Sequence, residues 1–176
     1  VSYMDMQKLL ASKDISYQYY IGQYTEGITG TTKTTDLETL LQLIYLTFEK
    51  PYFTDTMWNY LYTNVSTMAQ ANETQPAGHF SKAILKALYN DNIRKQVLTT
   101  DYVSKANKDD SARIFTERFA NPSDFTFIFV GDYEEADFEN LISTYIGTIT
   151  GDDVTETPVW QEPTFPVGKQ EVIIEK

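Results

Sequence analysis

The stretch DLETLLQLIYLTF, from Asp36 to Phe48, decides the fold of this chain. Its apolar residues recur at positions i, i+3, i+4, i+7, i+8 and i+11, which is the spacing of an amphipathic helix. Two further leucines widen the apolar stripe, so we expect a helix that is buried on more than one side. Thr35, with Glu38 three residues later, predicts a capping box at the start of this helix.

Two short strands are predicted before that helix. The run ISYQYYIG, Ile15–Gly22, alternates large apolar residues with other residue types, as a half-buried strand does. Glu26–Thr32 is a weaker strand, in which Gly27 and Gly30 indicate a bulge or a close approach of another backbone. A short amphipathic helix is expected ahead of both strands, over Ser2–Ser12.

A run of helices is predicted after the helix of Asp36–Phe48. Thr54 is expected to cap a helix that continues to about Ala71, and Pro76 opens another that continues to about Tyr89. A third helix is expected over Lys108–Phe119. A last helix follows Asp132, with apolar residues at helical spacing: Phe138, Leu141, Ile142, Tyr145 and Ile146.

The segment FTFIFV, Phe125–Val130, carries large apolar or β-branched residues on both faces. It therefore predicts a central strand that is covered on each side. Strands and helices in mixed order predict an α+β fold, with an antiparallel or mixed sheet and helices packed on it. We expect residues 1–150 to form one domain, and residues 151–176 to be a linker rich in proline and acids that leads into the start of a strand.

Length and composition narrow the classes of function. The 176 residues are enough for one domain that buries about 70% of its unfolded surface. A net charge of -11 argues against nucleic acid as a partner. No apolar run reaches the length of a membrane span. The lack of cysteine excludes thiolate metal sites, permits an exported or periplasmic location and leaves the compartment undetermined.

No motif in the sequence predicts chemistry at a particular residue. His79 is the single histidine, and without a second histidine or a cysteine the chain has no zinc-ligand spacing. The acids that follow Val130 would repel a phosphate and are explained by the dipole of the helix that they open. GDDVTE, residues 151–156, lacks the spacing of an EF-hand calcium loop. We therefore expect no catalytic, cofactor-binding or metal-binding residue.

The order of five segments resembles the pitrilysin or insulinase-like zinc peptidases. They are EGITGTT from Glu26, DLETLLQLIYLTFEKPYF from Asp36, a long helical stretch, RFANPSDFTFIFVGDY from Arg118, and STYIGTI from Ser143. The resemblance covers about Met4 to Ile149. It implies one of four homologous α+β domains, which form two halves around a peptide-holding chamber, with zinc only in the first domain.

The resemblance also implies that this is a non-catalytic domain, most closely like the one that opens the second half. The segment in the position of the family's distal zinc ligand, Thr54–Ala71, contains no Glu, and the inverted His-x-x-Glu-His motif is missing. Zinc is expected in the catalytic domain of a parent protein, not in this chain. Arg94 and Tyr102 have the residue types of the family's substrate-positioning pair but different surroundings, so that role is not transferred to them.

Three alternatives remain open. The chain starts at Val1 and stops within VIIEK, which favours a piece of a longer polypeptide whose other domains, and whose peptide substrate, would be its partners. A freestanding binding or assembly protein of the same fold is the second possibility, and a hydrolase that uses His79 is the third. If the piece lacks a neighbouring strand, its sheet edge invites dimers of the isolated chain.

Overall fold

The computed structural model describes residues 3–22, 24–151, 157–159 and 164–174. In these residues the chain forms two β-strands and seven α-helices. The strands are β1 (Ile15–Ile21) and β2 (Glu26–Thr32). The helices are α1 (Tyr3–Leu10), α2 (Leu37–Glu49), α3 (Asp55–Thr74), α4 (Pro76–Leu88), α5 (Thr100–Ser104), α6 (Lys108–Arg118) and α7 (Glu135–Tyr145). None of the described helices is both long and apolar enough to cross a membrane.

The chain divides into two compact units. The sheet unit comprises Val1–Tyr52 and Ala112–Pro158, and the helical unit comprises Phe53–Ser111 and Val159–Lys176. The expectation of one domain over residues 1–150, followed by a linker, stays a prediction. Most of the acidic part of that linker, residues 152–156 and 160–163, lies outside the described residues.

The two predicted strands form an antiparallel hairpin, which confirms the antiparallel α+β class. Each residue from Ile15 to Ile21 pairs with one residue of β2 without interruption, so neither glycine marks a bulge. Close approaches occur at both: an added Cβ at Gly30 would lie 3.0 Å from the Ser16 backbone carbonyl oxygen, and one at Gly27 would lie 2.8 Å from the hydroxyl of its cross-strand partner Tyr20. The Tyr20 side chain therefore lies over Gly27, which has no side chain of its own to fill that space.

Helix α2 is the centre of the sheet unit, as its periodicity predicts. Leu40, Leu41 and Ile44 are buried together, and Leu41 is fully inaccessible to solvent. Side chains from the hairpin, from α7 and from the Phe125–Val130 segment pack against these three. Because all of them meet on one helix, the apolar stripe of α2 organises the whole unit.

The predicted capping box at the start of α2 is wrong. Residues Thr34–Asp36 form a 3₁₀ turn, and the N-cap is Asp36, which makes no side-chain capping bond. The Asp36 carboxylate instead accepts a hydrogen bond from the Lys13 ammonium at 3.0 Å. Glu38 accepts one from the Tyr145 hydroxyl of α7 at 2.7 Å. Partners distant in sequence have taken the carboxylates that a local cap would have used.

The prediction of a central, doubly covered strand at Phe125–Val130 is also wrong. Phe125, Phe127 and Phe129 are partly buried, whereas Ile128 is 78% exposed and Val130 is 94% exposed. The described residues contain one sheet, the β1–β2 hairpin, and this segment is not part of it. Its three phenylalanines lie on one partly buried face, and the β-prone residues between them remain in solvent.

The predicted long helices are confirmed, with small differences at their ends. The Thr54 hydroxyl caps α3 by accepting a hydrogen bond from the Met57 amide at 3.1 Å. Pro76 occupies the first turn of α4, where its missing N–H removes no helical bond. The short helix α5 was not predicted, because five residues are too few to show a periodicity.

A buried tyrosine hydroxyl makes the stability of the sheet unit depend on pH in the alkaline range. The Tyr17 hydroxyl is hydrogen-bonded to the Thr47 hydroxyl and lies 3.4 Å from the Leu43 carbonyl oxygen. Burial, followed by the electrostatic influence of Tyr19, raises the pKa of Tyr17 well above its usual value. The unfolded chain therefore releases the Tyr17 proton at a lower pH than the folded chain does. The contribution of Tyr17 to the free energy of unfolding is fully present below about pH 10 and is lost as the pH rises further.

We therefore expect Tyr17→Phe to flatten the alkaline side of the stability profile. Between about pH 8 and pH 11 the protein should lose roughly 1 kcal/mol more unfolding free energy than the Tyr17→Phe variant. Urea unfolding followed by circular dichroism at both pH values measures this difference. Tyr20→Phe, an exposed tyrosine of the same strand, is the matched control and should follow the unsubstituted protein. Equal slopes for all three proteins would contradict the assignment.

Candidate functional site

An open groove in the helical unit has a volume of about 220 Å³. One wall is a face of α3, and the other is formed by α5 with the residues on either side of it. The α3 wall consists of Trp58, Leu61, Tyr62 and Val65, and the opposite wall consists of Leu98, Tyr102, Val103, Ala106 and Ser111.

The α3 wall follows from helical spacing. Trp58, Leu61, Tyr62 and Val65 are separated by three or four residues, so their side chains lie on one face of the helix. The rings of Trp58 and Tyr62 are one turn apart, with centroids 5.8 Å from each other. The Thr54 cap sets the start of the helix just ahead of this face.

The opposite wall is held by polar side chains from the end of α3. The Asn72 side-chain amide donates a hydrogen bond to the Leu98 carbonyl oxygen at 3.0 Å. The Glu73 carboxylate accepts from the Thr100 amide at 3.2 Å and from its hydroxyl at 2.7 Å. Thr99 caps α5, and the Tyr102 hydroxyl is bonded to the Gln96 side chain. The groove is therefore fixed at both walls by one helix.

The chemistry of the groove is that of a contact surface. Its lining contains no carboxylate, ammonium or imidazole group. Trp58, Tyr62 and Tyr102 offer aromatic faces, together with the Trp58 indole N–H and the Tyr62 hydroxyl, a combination that packs apolar side chains and satisfies a few polar atoms. The lining does not bring together a nucleophile and a base.

The sheet unit has a second, acidic depression of about 270 Å³. Glu38 of α2 faces Glu134 and Asp137, which stand at the N-terminus of α7, and Tyr133 and Phe138 supply the apolar part. The two acids at α7 were expected from the helix dipole. Glu38 joins them from a position about 100 residues earlier, which no local pattern in the sequence indicates.

The comparisons with known proteins agree on one fold. No protein-family model matches the chain. It is 21% identical over 153 residues to the probable zinc protease PqqL of Escherichia coli (strain K12), which covers 87% of this chain and 16% of the relative. The crystal structure of the periplasmic protease PqqL from Escherichia coli matches 94% of this chain with a TM-score of 0.74 and 19% identity.

A variant of the ferredoxin protease FusC, in complex with Arabidopsis ferredoxin, matches 92% of this chain with a TM-score of 0.73 and 14% identity. The chain has the fold of a pitrilysin-like peptidase domain. The resemblance noted in the sequence is thereby confirmed. This chain spans 18% of each of the two solved chains, so it corresponds to a small part of such proteins.

The resemblance assigns the family's distal zinc ligand to the helix that forms α3. The helix continues to Thr74, beyond the predicted end at Ala71, and therefore does contain a glutamate, Glu73. The carboxylate of Glu73 is held by Thr100, and the other acid of α3, Asp55, is paired with Lys108 at the opposite end of the helix. These two acids do not fit a zinc site.

The single histidine also lies in this part of the domain. His79 is in the first turns of α4, and its Nε2 is 2.6 Å from the Glu73 carbonyl oxygen, across the corner between α3 and α4. In the described part of the chain, no three His, Asp or Glu side chains are placed so that they could hold a metal ion. That His79 has no catalytic role stays a prediction.

The two residues compared with the family's substrate-positioning pair are placed differently. Tyr102 lines the groove, whereas Arg94 lies in the 3₁₀ turn Ile93–Lys95, outside the lining. The Arg94 amide donates to the Asn92 side chain at 2.9 Å, which stabilises that turn. Only Gly151 of the GDDVTE run lies in the described residues, so the structure does not test that candidate for calcium.

Proposed function

We propose that this chain is a non-catalytic domain of a larger zinc metallopeptidase, in which it forms part of the chamber wall and contacts peptide away from the scissile bond. The observation that carries the proposal is the apolar, aromatic groove along α3, the helix on which a catalytic domain of this family would place a zinc ligand. The carboxylates of α3, Glu73 and Asp55, are already paired with Thr100 and Lys108, and the groove lining contains no charged group. These features favour contact with a ligand over catalysis.

The partners follow from the same proposal. The chain spans only 16% of PqqL, and the other domains of the same polypeptide are its immediate partners. The substrate is a peptide or a protein in an extended form; FusC, which has a similar fold, was solved in complex with ferredoxin. Zinc is held by the catalytic domain of the parent, and we place the parent in the periplasm or outside the cell, as PqqL is a periplasmic protease.

Zinc content and peptidase activity test the proposal directly. The isolated chain should contain no stoichiometric zinc, measured by mass spectrometry of the metal, and should cleave no peptide. The full-length protein should bind zinc and should cleave peptide. One zinc per isolated chain would overturn the non-catalytic assignment. A full-length protein with neither zinc nor activity would favour the alternative, a binding or assembly protein of the same fold.

A substitution in the groove tests contact with peptide. In the full-length protein, Trp58→Ala should raise KM for peptide about tenfold and leave kcat unchanged, because it removes binding that substrate and transition state share. Tyr60→Ala is the matched control on the same helix, since Tyr60 is 60% exposed and does not line the groove. If both variants keep the original KM, the groove does not contact the substrate.

A further inference from the structure

The groove of the helical unit has two hydrogen-bond donors that no other described residue uses. They are the Trp58 indole N–H and the Tyr62 hydroxyl, whereas the hydroxyls of Tyr102 and Ser111 are already bonded within the chain. An indole N–H can only donate, so its partner must offer an acceptor such as a peptide carbonyl oxygen. The unused polar groups of the lining therefore suit the backbone of a bound peptide.

The charged residues beside the groove are already paired. Those that directly neighbour a lining residue in the sequence are Asp101, Lys105 and Asp110. Asp101 and Lys105 form an ion pair at 2.7 Å, and Asp110 accepts a hydrogen bond from the Asn107 side-chain amide at 2.5 Å. A charged side chain that entered the groove would lose hydration without gaining a free counter-ion. The electrostatics of the groove therefore select an uncharged occupant.

The size of the groove and its rings narrow the occupant further. A volume of about 220 Å³ is below the range of about 300–1,000 Å³ that holds a drug-sized ligand, so the groove suits one large side chain. Trp58 and Tyr62 stand on one wall and Tyr102 on the other. Aromatic rings pack favourably against other rings at centroid distances of about 4.5–7 Å. A groove with rings on both walls thus favours an aromatic side chain over an aliphatic one.

We propose that this groove selects peptides that carry an aromatic residue away from the scissile bond. The aromatic side chain packs between the α3 wall and Tyr102, while Trp58 donates a hydrogen bond to a carbonyl oxygen of the peptide backbone. The proposal rests on the proposed function, in which the groove contacts peptide, and adds the class of side chain that the groove takes.

Binding of three fluorescein-labelled peptides to the full-length protein tests this inference. The peptides differ at one central residue, which is Phe, Ala or Glu, and otherwise consist of glycine, serine and threonine. A chelator withholds zinc so that the peptides are bound and not cleaved, and fluorescence anisotropy gives each Kd. We expect the Phe peptide to bind about tenfold more tightly than the Ala peptide, and the Glu peptide to bind no more tightly than the Ala peptide.

Two substitutions of Trp58 separate the ring from the N–H group. Trp58→Ala should reduce the tenfold preference for Phe to about twofold, because it removes one aromatic wall. Trp58→Phe keeps an aromatic face and loses the donor, so it should weaken all three peptides by a similar factor of about five and leave the preference for Phe in place. Tyr60→Ala is the control, since Tyr60 is exposed on the same helix and does not line the groove.

Each outcome supports or overturns the inference. A preference for Phe that falls in Trp58→Ala and persists in Tyr60→Ala supports it. An unchanged preference in Trp58→Ala overturns it, because another site then recognises the side chain. Equal weakening of all three peptides by Trp58→Ala also overturns it but leaves the groove in contact with the peptide backbone, as the proposed function requires. If no peptide binds, both the inference and the proposed contact with peptide fail, whereas the non-catalytic assignment is decided separately by zinc content.

Discussion

Replacing Leu41 with alanine should lower the free energy of unfolding by about 3 kcal/mol, the largest loss that we expect from a single truncation. Leu41 is the largest side chain that is fully buried in the described residues, and it lies between Leu40 and Ile44 on the face of α2 that organises the sheet unit. The substitution removes buried apolar surface and leaves a cavity that its neighbours can fill only in part.

Leu46→Ala is the matched control for this prediction. Leu46 lies on the same helix and is 42% exposed, so the same change of side chain should cost less than about 1 kcal/mol. Urea unfolding at neutral pH measures both values. If the two variants lose equal stability, α2 is not the centre of the core, and the account of the sheet unit is wrong.

Replacing Gly78 with alanine should destabilise the helical unit by about 3 kcal/mol. An added Cβ would lie 2.0 Å from the Asn72 carbonyl oxygen and 2.6 Å from its carbonyl carbon, so the corner between α3 and α4 would have to open. Alanine in a helix is by itself favourable by about 1 kcal/mol over glycine, but contact with a backbone cannot be relieved by turning a side chain. The clash therefore outweighs the gain in helix propensity.

The consequence of Gly78→Ala should reach the groove, because Asn72 also bonds the Leu98 carbonyl oxygen in the opposite wall. We expect faster exchange of the α5 amides together with the loss of stability. Gly131→Ala is the control, since the nearest atom to its added Cβ is a Tyr133 ring carbon at 3.9 Å. A Gly78→Ala protein as stable as the control would show that the corner is more open than in the structure.

Much of the fold could be predicted because the signals are local. The periodicity of Asp36–Phe48 gave the central helix, alternation gave the hairpin, and Thr54 and Pro76 marked the starts of two further helices. The resemblance in segment order predicted the fold that PqqL and FusC share. Helix ends were predicted less accurately. Helix α3 extends beyond its predicted end at about Ala71 to Thr74, and the added residues include Glu73, whose carboxylate holds Thr100.

The errors occurred where a residue had two possible partners. Thr35 and Glu38 form a capping pattern in sequence, but the folded chain offers Glu38 the Tyr145 hydroxyl from α7. Both faces of Phe125–Val130 are β-prone, and periodicity alone does not tell which of them finds a partner. The groove was missed because its two walls are about 40 residues apart, from Trp58 to Leu98.

The sequence by itself determined the long helices, the β1–β2 hairpin and which face of α2 is apolar, because backbone sterics and side-chain spacing act between near neighbours. Tertiary structure alone decided that Glu73 holds Thr100 and that one face of Phe125–Val130 remains in solvent. Those outcomes depend on competition for hydrogen-bond partners and apolar surface among residues distant in the chain. Such a competition is settled only when the chain has folded.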